Sequence, residues 1–128
     1  MKHESLTSII IGICIKVHEY LGPGLLESVY EEVICYELTK LGISFKRQQG
    51  IPVIYEEIKL DIGFRADVII EGKVVLEIKS VETMAPVFVK TVLTYLRLTE
   101  IEVGLLINFN VVLLRDGITR LVLDRRVV

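Results

Sequence analysis

The chain has 128 residues, 52% of them hydrophobic and 25% charged, with a formal net charge of −2. That length suits a single domain, 1–128, around one core, and that balance excludes a disordered chain. A net negative chain is also not one that coats nucleic acid through nonspecific phosphate contacts, which call for a basic surface. A metal-dependent enzyme escapes this exclusion, because its ion supplies positive charge at the reaction centre.

Residues 5–21 place apolar side chains at 6, 9, 10, 13, 17 and 21, the spacing of an amphipathic helix, with Ser5 as its N-cap. The apolar run 9–15 is ended by Lys16, His18 and Glu19, far short of the ~20 apolar residues a membrane span needs. No small-residue cleavage site follows it. Cys14 and Cys35 have neither zinc nor disulfide spacing and read as buried thiols in a reducing compartment. The expectation is a cytoplasmic protein with no membrane segment.

Gly22-Pro23-Gly24 breaks the first helix, and residues 25–41 form a second, ended by Gly42. Residues 43–49 read as a short strand, and 51–55 with 58–61 as a hairpin turning at Glu56-Glu57. Strands follow at 63–70 and 74–80. A third helix runs from about Pro86 to Leu98, capped by Thr83. Residues 102–108, 111–114 and 118–123 read as strands, the last two joined at Arg115-Asp116-Gly117. This order gives an α/β (mixed α+β) domain with helices packed on a central sheet.

Asp67, Glu77 and Lys79 interrupt runs that would otherwise be buried strands, 63–70 and 74–80. Charges set into such strands are costly unless something compensates them, and a divalent cation would. Register sharpens the point. With a two-residue turn, Glu71-Gly72, the two carboxylates fall on opposite faces. With a three-residue turn, Glu71-Gly72-Lys73, and Gly72 or Lys73 left-handed, Asp67 sits opposite Glu77 and Arg65 opposite Lys79. One face then holds Phe64, Ala66, Val68, Ile70, Val74, Leu76 and Ile78, and the other holds the charges. The second register is expected, with opposed side chains starting only ~4.5–5.5 Å apart at Cβ. The competing reading is a pair of ordinary cross-strand ion pairs, Lys79 with Glu77 and Arg65 with Asp67.

Glu27 falls on the apolar stripe of the second helix, near its positive end, and would add a third carboxylate to the site. Glu37 reads as an ion-pair partner of Lys40 or Arg47. Lys46-Arg47 and Arg125-Arg126 are short basic pairs on solvated surface.

The segment Gly24-Leu25-Leu26-Glu27-Ser28-Val29-Tyr30 has the form G-x-x-E-x-x-Y. With Val17 to Pro23 before it, and with Tyr95-Leu96-Arg97-Leu98, Gly104 to Asn110 and Asp116-Gly117-Ile118 later, the chain resembles the GxxExxY family across residues 5–122. That family is grouped with the PD-(D/E)xK nucleases. The resemblance implies a restriction-endonuclease-like core, a central mixed sheet flanked by helices, with the site at the sheet's edge. It implies Asp67 and Glu77 as ligands of Mg²⁺ or Mn²⁺, Lys79 as the residue that orients or deprotonates the attacking water, and Glu27 as the helical acidic residue. Such an ion would polarise a phosphoryl oxygen and acidify a bound water. Lys79 would either accept a proton or stay charged beside the transition state.

Relatives in the exonuclease-like branch carry Gln-x-x-x-Tyr on the next helix. Tyr95 matches, but Thr91 stands where the Gln is expected, and Phe88 where a polar residue is common. Tyr95, Thr91 and His18 are the expected substrate-binding residues, although a lone His or Tyr is more often structural. Two functions follow. One is an Mg²⁺-dependent nuclease hydrolysing phosphodiester bonds of nucleic acid, DNA ahead of RNA. The alternative is an inactive nuclease fold that binds nucleic acid or protein. The apolar strand 103–107 and the Val127-Val128 tail offer surfaces for a homodimer.

Overall fold

The computed structural model describes residues 2–124; Arg125-Arg126 and Val127-Val128 lie outside them. The described residues form helices α1 (Glu4–Leu21), α2 (Glu27–Lys40) and α3 (Pro86–Thr99). The strands are β1 (Phe45–Tyr55), β2 (Ile58–Ile70), β3 (Val74–Lys79), β4 (Val103–Asn108) and β5 (Ile118–Val122). They make a five-stranded mixed sheet in the order β1-β2-β3-β4-β5. All neighbours are antiparallel except β3 and β4, which run parallel and are joined through α3. A parallel pair needs such a crossover, because a tight hairpin cannot connect it. The α/β expectation holds. Among the described residues no helix is long and apolar enough to cross a membrane.

Both faces of the sheet are covered, which explains why β3 and β4 are apolar almost without alternation. Val68, Ile70, Leu76, Ile78, Leu105 and Ile107 pack beneath Ile10, Cys14 and Val17 of α1 and Tyr30, Ile34 and Leu38 of α2. Ala66, Ile69, Val75 and Leu106 pack beneath Val92, Tyr95 and Leu96 of α3. α3 lies close over Gly104, where a Cβ atom would come within 2.8 Å of the Val92 side chain. A larger residue there would push the helix off the sheet.

Several boundaries differ from the sequence reading. The expected short strands fuse into the long β1–β2 hairpin, because Gly50 and the slip at Pro52 bend the ladder without ending it. Ser5 and Thr83 are not caps: His3, in a left-handed conformation, precedes α1, and extended Ala85 precedes α3, with Pro86 opening the helix. Residues 111–113 form no strand, and 114–117 close into a 3₁₀ turn before β5. Gly117 there approaches the Asn108 carbonyl too closely for any side chain. Strand 103–107 is central and fully buried between β3 and β5, so it offers no dimer surface.

The β2–β3 register is the three-residue one. Val68 pairs with Leu76, Ile69 with Val75 and Ile70 with Val74. Glu71 and Gly72 take the positive φ values, 55° and 64°. The expected single face of β2, however, is broken at Asp67. Val68 and Ile70 face α1 and α2, whereas Ala66 packs under α3 and the Phe64 ring lies 5.6 Å from that of Tyr95. The cause lies on β1. Gln48, opposite Asp67, has φ 48°, so this pair drops out of the regular ladder between Arg47–Val68 and Gln49–Ala66. A left-handed residue in a strand turns the ribbon, as bulges do.

Candidate active site

The site begins where the β2–β3 ladder stops. Beyond Val68–Leu76 the two main chains no longer bond to each other, and buried N–H groups still need partners. Two carboxylates supply them. The Asp67 N–H donates to Glu77 Oε1 at 2.8 Å, and the Ile78 N–H donates to Asp67 Oδ2 at 2.8 Å. Each acidic side chain thus replaces a ladder bond and is held against the other strand. Asp67 and Glu77 are brought together as expected.

Their electrostatics follow from the placement. Glu77 is only 5% exposed. Burial, and next the adjoining Asp67 charge, push its carboxyl up to about 8. Asp67 is also raised, chiefly by burial, while its bond from the Ile78 N–H pulls the other way. The nearby Lys79 charge offsets these raising effects only in part.

Lys79 does not pair with them. Its ammonium lies 4.5 Å from the centroid of the Phe88 ring, in cation–π contact with α3. Arg65 donates to the Gln48 carbonyl at 3.4 Å. Neither cross-strand ion pair is formed among the described residues, so the cheaper explanation for these charges is not the one adopted. Lys79 stays near enough to lower both carboxyls in part.

Glu27 stands in the first turn of α2, exposed, with Oε2 accepting from the Ser80 N–H at 3.4 Å. The Ser80 hydroxyl donates to the Leu25 carbonyl at 2.6 Å, tying the end of β3 to the α1–α2 loop. The Tyr30 hydroxyl holds that loop from inside, donating to the Gly22 carbonyl at 2.6 Å and accepting from the Leu25 N–H at 3.2 Å. A cleft lined by Gly24, Glu27, Ser28, Ser80 and Asn110 opens beside it. The Glu27 charge is felt at Glu77. Among the described residues no three or more His, Cys, Asp or Glu side chains gather at metal-ligating spacing. The arrangement is therefore a carboxylate pair with Glu27 alongside, and no three-carboxylate cluster.

Tyr95 is buried on α3, and burial followed by the Glu77 and Asp67 charges raises its hydroxyl. Thr91, one turn earlier, is half-buried, and among the described residues its hydroxyl has no hydrogen-bond partner. His18 is elsewhere occupied: its Nε2–H donates to the Val111 carbonyl at 2.8 Å, against the Phe109 ring. Glu37 pairs with Lys16 and Lys40, not with Arg47.

Two site residues escape the sequence reading. Gln48 Nε2 donates to Glu31 Oε1 at 2.7 Å and to Asp67 Oδ1 at 3.3 Å. Glu31 is 7% exposed and is held in turn by Arg47 at 3.0 Å. Glu31 follows Glu27 by four residues on the helix line that continues through Ile34 and Leu38, a signal that was present.

The donor set fits a small divalent cation. Mg²⁺ typically takes one or two carboxylates and keeps its remaining positions for water and phosphate, and a cation is what Asp67 and Glu77 lack. No curated protein and no solved structure matches the chain. With a mixed sheet between helices and a carboxylate pair where two of its strands part, the match of residues 4–121 to the family model of the PD-(D/E)XK nuclease superfamily has a structural counterpart, and the chain belongs to that superfamily, with its restriction-endonuclease-like fold.

Proposed function

We propose that this protein is a divalent-metal-dependent nuclease of the GxxExxY branch, acting on DNA ahead of RNA, as a single cytoplasmic domain. Membership of the superfamily implies nuclease-type function and nucleic-acid binding, and nucleases of this kind typically use divalent metals. The observation that carries the finer reading is the pair of hydrogen bonds at the end of the β2–β3 ladder, from the Asp67 N–H to the Glu77 carboxylate and from the Ile78 N–H to the Asp67 carboxylate. It leaves a buried carboxylate, Glu77, beside a half-buried one, Asp67, with neither in a salt bridge among the described residues.

Asp67 and Glu77 would hold Mg²⁺ or Mn²⁺, which when bound supplies Lewis-acid polarisation of the phosphate. The protein's own residues do the rest. The Asp67–Ile78 and Glu77–Asp67 hydrogen bonds fix the two ligands before any ion arrives. Such pre-set geometry lowers the cost of binding. Lys79, held over Phe88, keeps a cation beside the pair without neutralising either carboxylate, so its charge is available to the reacting phosphate. Glu27, at the cleft mouth, presents a further acceptor next to Ser80.

The test is cleavage of single-stranded, duplex and branched DNA and RNA with Mg²⁺ and with Mn²⁺. Metal-dependent cutting is expected in the wild type, with a loss of at least about 10²-fold in Asp67→Asn and in Lys79→Ala. Thr91, which has no bonding partner on α3, is the residue that favours a second reading. Folded wild-type protein that cuts nothing would identify an inactive binding module, with Thr91→Gln as the variant that tests whether the missing amide is the reason.

A further inference from the structure

We propose that Gln48 is a positioning residue that fixes the Asp67 carboxylate as a ligand while contributing no charge of its own. This rests on the reading that Asp67 and Glu77 hold a divalent ion.

A ligating carboxylate has to be oriented, and its orienting partner decides what else can bind. An arginine or lysine in contact with Asp67 would satisfy it electrostatically and compete with an ion. A neutral amide donates hydrogen bonds and leaves the charge uncompensated. The structure has the second arrangement. Asp67 Oδ2 is held by the Ile78 N–H, and Oδ1 faces the Gln48 amide. Both protons of that amide are used on carboxylates, Asp67 and Glu31. This fixes which end of the amide faces the two carboxylates, since its oxygen would be repelled by both.

Arg47, the residue before Gln48, is kept one step away from Asp67. Arg47 bonds Glu31 Oε2 through Nη2 at 3.0 Å and Nε at 3.3 Å, and Glu32 at 2.8 Å. The order is Arg47, Glu31, Gln48, Asp67: cation, anion, neutral donor, ligand. The backbone pays for this placement. A non-glycine residue at φ 48° is strained by about 1–2 kcal/mol, and that conformation takes Gln48 out of the β1–β2 ladder opposite Asp67. Its side chain then bridges α2 and β2.

The test uses the full chain, stripped of metal, and three readouts. Mn²⁺ affinity is measured by calorimetry, Tm without metal checks folding, and the Gln48 side-chain amide resonances are followed by NMR. Gln48→Asn keeps an amide and suits a left-handed backbone, but is one methylene too short to reach both carboxylates. Its Mn²⁺ affinity is expected to fall by roughly tenfold or more, with Tm close to wild type. Gln48→Lys keeps the reach and the donor and adds the charge. It is expected to lose Mn²⁺ binding while its metal-free Tm equals or exceeds that of wild type. In the metal-free protein, Asp67→Asn should shift the Gln48 amide resonances.

If wild type binds Mn²⁺ and both variants match it within about twofold, the positioning role is overturned and the ion site stands. Wild type that binds no Mn²⁺ overturns the ion reading and the proposal with it. Gln48 resonances unmoved by Asp67→Asn overturn the contact itself, whatever the metal does.

Discussion

At the scale of single residues, the charge state of Glu77 governs how the metal-free protein responds to pH. Its carboxyl is pushed up to about 8 by burial and by the Asp67 charge, against an ordinary value of 4.5. A carboxyl raised in the folded state is favoured there in its protonated form. Its contribution to stability is complete below 4.5 and is lost as pH rises through about 8. Asp67 is raised too and acts in the same direction. The metal-free protein is therefore expected to melt at lower temperature as pH rises across that window. The loss is on the order of a few kcal/mol, or roughly 10 °C. Glu77→Gln should flatten most of this dependence and raise Tm at the alkaline end, which differential scanning calorimetry in chelator would read. A wild-type Tm that rises from pH 5 to pH 8 would show that Glu77 is compensated without an ion. These two residues are legible in the sequence because a carboxylate inside an apolar strand is conspicuous. Gln48 is not, because it sits in the polar run from Lys46 to Gln49. Its importance comes from a left-handed turn that a non-glycine residue does not announce.

At the scale of elements, the α1–α2 loop is what brings Glu27 to the end of β3. Tyr30 makes that connection, with its ring stacked on Phe109 at 4.4 Å and its hydroxyl bonded to both sides of the loop. Tyr30→Phe keeps the stacking and removes both bonds, leaving the Gly22 carbonyl and Leu25 N–H to find water. The expected cost is about 1–3 kcal/mol, measured as a lower urea midpoint with unchanged slope. Cleavage should fall with it, because Leu25 also anchors Ser80. No change in either would mean that the loop is held by packing alone. The hairpin register was readable from sequence, since only one turn length separates charged from apolar positions around Glu77. The rotation at Asp67 was not, because it originates in β1. The strand expected at residues 111–114 fails for a similar reason. Its apolar residues suit a strand, but Gly117 must pass against the Asn108 carbonyl, and the chain folds into a 3₁₀ turn to do so.

For the whole molecule, the net charge of −2 constrains how an extended polyanion could be held. Several cations are already engaged within the fold: Arg47 with Glu31 and Glu32, Lys16 and Lys40 with Glu37, and Lys2 with Glu102. Lys79 lies over Phe88 beside the carboxylate pair, which is itself negative once ionised. In the proposed enzyme, substrate attraction rests on the bound ion and one or two side chains at the site. Each phosphate neutralised by a lysine or arginine contributes a slope of about −0.9 to log affinity against log salt on duplex DNA. One or two such contacts predict a loss of roughly tenfold or less between 50 and 200 mM salt, where 6–10 contacts would cost about 10³–10⁵. The quantity to measure is kcat/KM on duplex DNA at fixed Mn²⁺ and varied KCl. A shallow slope would fit an enzyme whose ion provides most of the electrostatic hold. A loss of hundredfold or more would instead require a basic face, and Lys46, exposed on β1, would be the first side chain to neutralise in search of it.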